Sequence, residues 1–172
     1  MEIVRYDPRH LDAVVALCKA EGWTTFAGNH QRAGRAMTGP GVTALVAVER
    51  GPGDPGEGDA GRAEGAGRAG TLGDEDGAGG TEDRGPRRVL GFSQAVGDGA
   101  FGGYLCMLLV AEDARRQGIG KALIERTLVE SGVLRLDLLS SDRAMPLYER
   151  FPHVRVPGFR LYPDESLRPR SS

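Results

Sequence analysis

The chain is poor in the residues that would announce the simplest function classes. Only two of its 172 residues are cysteine, Cys18 and Cys106. Both lie within apolar patterns, which excludes a disulfide framework and favours reduced, buried thiols. The three histidines, His10, His30 and His153, are scattered without ligand spacing, so no metal site is expected. No apolar run approaches membrane length, and Met1 to Tyr6 is a short alternating segment unlike a signal peptide. The expectation is a cytoplasmic protein with no membrane partner. A net charge of −2 is too small to argue for nucleic acid. Aromatic residues make up 6% of the chain, with a single tryptophan, Trp23.

What is present is an ordinary folding composition, 40% hydrophobic and 27% charged. The length suits one domain over residues 1–172 with a real core. The near-neutral total conceals a division. Gly51 to Pro86 holds nine acidic and three basic residues, a net of about −6, so the remainder carries about +4. That stretch has almost no large apolar residue and cannot offset its ordering entropy by burial. It reads as a disordered insertion in a hairpin loop, where extra length costs little because closure entropy grows logarithmically. The tail over 163–172 is polar and reads as loose.

Hydrophobic periodicity orders the rest. Glu2 to Tyr6 alternates as a first strand, and Asp7-Pro8 is an N-cap followed by proline at the first helical position. Leu11, Val14, Val15 and Cys18 then lay one helical face on a core, ending near Glu21-Gly22. Trp23 to Phe26 forms a connection, and Asn29 to Thr38 suits a second short helix. Val42 to Glu49 and Arg88 to Val96 are strands flanking the insertion. Gly97-Asp98-Gly99 turns into a fourth strand over Ala100 to Val110, which completes an antiparallel meander. A helix follows from Ile119 and breaks at Gly132, and Val133 to Leu139 reads as a fifth strand. Asp142 can cap a helix carrying Ala144, Leu147, Tyr148 and Phe151. Two β-like pieces, His153 to Val156 and Phe159 to Tyr162, close the series around a Pro157-Gly158 turn.

The richest stretch is Tyr104 to Leu128, a strand that feeds a helix through Arg115-Arg116-Gln117-Gly118-Ile119-Gly120. Glycines let this turn approach a ligand closely, and the helix start with two arginines suits an anion. Spacing decides which anion. A triphosphate P-loop needs glycine where Ala114 stands and a hydroxyl where Ala122 stands. A dinucleotide fingerprint needs glycine where Leu123 stands. Both fail. The turn instead resembles the pyrophosphate signature Gln/Arg-x-x-Gly-x-Gly/Ala of the GCN5-related N-acetyltransferases (GNAT), matched by Arg115, Gly118 and Gly120. The Ala144-to-Phe151 segment is similar to that family's Ala-x-x-Phe/Leu-Tyr helix.

The resemblance implies an α/β (α+β) acyl-CoA N-acyltransferase fold in the order β-α-(α)-β-β-β-α-β-α-β-β, with a mixed sheet splayed between strands four and five. It implies acetyl-CoA as cosubstrate and direct attack by an amine of a small molecule or peptide in a ternary complex, without a covalent enzyme intermediate. Main-chain groups of Leu108, Leu109 and Val110 would pair with the pantetheine arm, with Leu109 or Val110 polarising the thioester oxygen. Arg115, Arg116, Gln117, Gly118, Ile119, Gly120 and Lys121 would surround the pyrophosphate, and Tyr148 would be the general acid. Trp23 and Phe26 are candidate acceptor contacts, although packing alone would account for Trp23 equally well. The base is left open between Glu21, Asp137 and a water chain. A homodimer is compatible with this reading. The alternative is a non-catalytic acyl-CoA-binding sensor. Ser141 stands where the family often has asparagine, and Pro152-His153 replaces its usual Gly-Phe, which occurs later as Gly158-Phe159. These departures bear on the far wall of the acceptor pocket.

Overall fold

The computed structural model describes residues 1–50 and 87–162. The insertion and the tail read from the sequence therefore lie outside the described residues. Five strands form one sheet in sequential order: β1 (Glu2–Arg5), β2 (Val42–Val48), β3 (Val89–Gly97), β4 (Gly102–Val110) and β5 (Arg135–Asp137). The first four are antiparallel neighbours, and β5 adds parallel to β4. Asp98 fixes the β3–β4 turn by accepting the N–H groups of Ala100, Phe101 and Gly102. The helices are α1 (Leu11–Ala20), α2 (Thr24–Ala27), α3 (His30–Thr38), α4 (Ile119–Ser131) and α5 (Met145–Tyr148). A 3-10 turn at Pro8–His10 precedes α1. Its Asp7 cap accepts the Arg9 N–H at 2.8 Å, and His10 Nδ1 accepts the Asp7 N–H in return.

Helices cover both faces of the sheet. On one, Val14, Cys18 and Met37 from α1 and α3 pack against Val46, Phe92 and Leu109. On the other, Ile119 and Leu123 of α4 meet Leu45, Ala47 and Leu90. Ser93 and Thr127 face one another beneath α4 with hydroxyl oxygens 2.8 Å apart, and Thr127 also donates to the Leu123 carbonyl. These buried hydroxyls are thereby satisfied, avoiding the desolvation penalty that an unpaired pair would carry.

The site depends on a change of register in β4. Gln94 pairs with Met107 and Ala95 with Leu105, so Cys106 is an extra residue opposite no partner. This β-bulge turns the strand. Leu105 and Leu108, three apart, both pack on the α4 side, whereas Met107 and Leu109 face α1. Before the bulge, Gly102, Gly103 and Tyr104 pair with Arg135, Leu136 and Asp137; beyond Tyr104 that pairing stops. The sheet opens into a fork whose arms are the end of β4 and the chain after Asp137.

The last segment differs from the sequence reading. Neither His153 to Val156 nor Phe159 to Tyr162 forms a strand. Val154 and Phe159 are 86% and 87% exposed. Alternation marked these pieces as β-like, yet Pro152 and Pro157 bound the first of them to four residues. The three-residue β5 also offers only a short edge to pair with. The helix expected from an Asp142 cap through Phe151 is a single turn starting after Ala144, with no side-chain cap. The structure adds α2, a turn of helix where only a connection was expected.

Candidate active site

The turn after β4 is built to expose backbone donors. Arg116 has φ 64° and Gly118 φ 83°, both left-handed. The first helical bond of α4 runs from Ala122 N–H to the Gly118 carbonyl. Among the described residues, the N–H groups of Ile119, Gly120 and Lys121 have no backbone acceptor, so the helix start presents a cluster of partial positive charge. A left-handed arginine is uncommon and costs strain, of the kind that collects at functional turns. Gly120 is constrained differently. A β-carbon there would lie 3.3 Å from Leu147 Cδ2, a tight contact that the leucine tip would have to relieve by a few tenths of an ångström.

The side chains divide the expected roles. Arg115 does not face outward: its guanidinium pairs with Glu21, and its Nε donates to the Val110 carbonyl at 3.1 Å. Lys121 pairs with Glu125 one turn along α4. Gln117 donates to the Asp113 carbonyl at 3.3 Å. Asp113 itself is held by Arg88, which lowers its carboxyl below the usual range. Arg116 is exposed and, among the described residues, has no charged partner. It is the cation of the turn left for a ligand.

The free edge of β4 leads into this turn. Ala111 N–H donates to the Leu90 carbonyl at 2.8 Å. Ladder bonds recur at every second residue, so Leu109 and Met107 spend their backbone groups on β3. Leu108 and Val110 present theirs to the open side of the fork. The bulge could not be read from the sequence, and it separates these residues from their neighbour Leu109.

Trp23 and Phe26 come together in one cavity of about 540 Å³, which Gly22, Asn29, Arg32 and Ala36 also line. Phe26 rests on Phe92, with ring centroids 6.3 Å apart. The Glu21–Arg115–Val110 chain of contacts ties the cavity rim at Gly22 to the end of β4. Sequence reasoning missed this link, because the 94 positions between the partners leave no periodic signal. On the other arm of the fork, Tyr148 packs with Leu108 around Leu105 and Ile124. Burial raises its phenol above the ordinary tyrosine value. Asp137 stands at the last paired position of β5, opposite Tyr104, with Arg135 Nε 3.6 Å from its carboxylate. Cys106, expected to be buried, is exposed at the bulge; partial desolvation still raises its thiol above the ordinary value, which suits no nucleophile. Among the described residues, no cluster of His, Cys, Asp and Glu could hold a metal ion, and no helix is long and apolar enough to cross a membrane.

With this geometry in view, the comparisons with known proteins are direct. Residues 81–151 match the acetyltransferase (GNAT) domain. A search of curated proteins found no match. Among solved structures, a chain from Deinococcus radiodurans R1 is 33% identical over 44% of this chain, a stretch that spans only 53% of its own length, with a TM-score of 0.41. An aminoglycoside acetyltransferase from an uncultured soil metagenomic sample is 17% identical, covering 95% of this chain and 98% of that one with a TM-score of 0.59. AAC(6')-Iy in complex with a bisubstrate analog, CoA-S-monomethyl-acetylneamine, is 13% identical over 95% and 97%, with a TM-score of 0.61. The fold is that of the acyl-CoA N-acyltransferases. Over residues 81–151 the chain is similar to the GNAT acetyltransferase domain.

Proposed function

We propose that the chain transfers an acetyl group from acetyl-CoA to a primary amine by direct attack, with both substrates bound in the fork. The observation that carries this reading is the continuity of unpaired donors. The open β4 edge at Leu108 and Val110 runs into the free N–H groups of Ile119, Gly120 and Lys121. An extended amide-bearing arm ending in a pyrophosphate fits such a surface. Its amides would add to β4 as another strand would, and its phosphates would meet the helix start and Arg116.

The residues then have separable tasks. Leu108 and Val110 hold the donor against the strand, and the Val110 N–H is the group placed to polarise a carbonyl oxygen at the fork. Of the two residues first considered for that role, Leu109 has its N–H within the ladder. Tyr148 keeps its proton at neutral pH and can donate to the departing thiolate. Glu21 is paired with Arg115 and Asp137 lies 3.6 Å from Arg135, so the amine proton leaves to one of these two carboxylates or through a water chain. Trp23 and Phe26 line the acceptor cavity.

A titration of acetyl-CoA followed by release of free thiol on adding an amine panel tests the reading. Thermal stabilisation by acetyl-CoA together with turnover supports it. Stabilisation without turnover for any amine would favour the sensor alternative. No stabilisation at saturating acetyl-CoA would sink both.

A further inference from the structure

Charge in the acceptor cavity narrows the acceptor class, an inference that rests on the acetyltransferase reading above. From Gly22 through Val48 the sequence has no aspartate or glutamate, while it has His30, Arg32 and Arg35. The carboxylates that approach from α1 are already engaged: Asp12 lies 2.7 Å from His30 Nε2, and Glu21 is bound to Arg115. Arg32 lines the cavity with Trp23 and Phe26, and its guanidinium has no partner among the described residues. Among the described residues, the wall is therefore apolar at one side and carries one cation without an acidic partner at the other. A polycationic acceptor would meet a positive wall with no described lining carboxylate to pair with its ammonium groups. A carboxylate would meet a planar fork of donors that matches it. The indole and phenyl rings can take up an apolar side chain next to it.

We infer that the acceptor is a small amine that also carries a carboxylate and an apolar side chain, which is the chemistry of an apolar or aromatic amino acid. Arg32 sets this preference by binding the carboxylate while the rings hold the side chain.

The test uses the full chain and acetyl-CoA, with phenylalanine, phenylalaninamide and an aminoglycoside as acceptors. Rates are corrected for the neutral fraction of each amine. The carboxylate form should exceed its amide by about tenfold in kcat/KM, the scale of one charge-assisted pair. Arg32→Glu should bring that ratio to about one or below, and Arg32→Lys should restore part of it. Thermal stabilisation by acetyl-CoA reports on folding and on the donor half in each variant. Three results would overturn the inference: an amide or aminoglycoside turned over as well as the carboxylate form, a ratio unmoved by Arg32→Glu, or no turnover of any of the three acceptors. If acetyl-CoA still stabilises the chain in such a case, the acetyl-CoA part of the functional reading survives. If it does not, both fail together.

Discussion

The proposed donor and acceptor halves of the site are built in opposite ways. The donor half is continuous in sequence, since β4, the glycine turn and α4 run from Gly102 to Ser131, and its ligand groups are mostly backbone. The acceptor half is assembled from a single-turn helix, α3 and a long-range ion pair, and its ligand groups are side chains. A backbone site tolerates side-chain change provided the turn keeps its conformation. A side-chain site can change its specificity with one substitution. The same scaffold can thus keep one donor and accept different amines.

The contrast predicts where substitutions act. The largest effect should come from Gly118→Asp, which puts a β-carbon on a residue at φ 83° and a negative charge at the helix start. Acetyl-CoA affinity should fall by about 100-fold or more, measured by calorimetry. Tyr148→Phe should lower kcat by about 100-fold with little change in KM for acetyl-CoA, within the usual range for a lost general acid. Burial raises this phenol's pKa, so the protonated donor persists across neutral pH, and kcat should decline on its account only above the ordinary tyrosine value of 10.0. A decline beginning near neutrality would assign the acid elsewhere.

Smaller effects probe the seam between the halves. Glu21→Gln or Arg115→Ala should each cost about tenfold in kcat/KM, with the double variant little worse than Arg115→Ala alone, because that substitution already removes the Glu21 pair along with the Val110 bond. Additive losses would show that Arg115 acts apart from Glu21. Trp23→Ala should raise KM for the acceptor several-fold while leaving acetyl-CoA affinity within about twofold. The smallest effect should follow truncation after Phe151, since the described residues it removes, 152–162, are exposed. Denaturant unfolding should change by less than about 0.5 kcal/mol.

Legibility in the sequence followed the same division. The strand, glycine turn and helix of the donor half are local, so apolar period and glycine spacing carried them directly. The Asp7 cap, which starts the 3-10 turn ahead of α1, and the helix over His30–Thr38 were readable for the same reason. The bulge at Cys106 was not, because register belongs to a pair of strands and leaves no mark in one of them. The Arg115–Glu21 pair was hidden by distance along the chain, and Arg115 read as a phosphate ligand from its motif position. The final β-like pieces show alternation misleading: a strand also needs a partner edge to take its hydrogen bonds.

The central claim is that the β4 edge and the α4 start form the donor site, and amide hydrogen exchange with and without acetyl-CoA tests it most directly. The account predicts ligand-dependent protection concentrated at Leu108, Val110 and Gly118 to Lys121, with little change in α1. Protection confined to α2 and α3, or none at the turn despite bound acetyl-CoA, would contradict it.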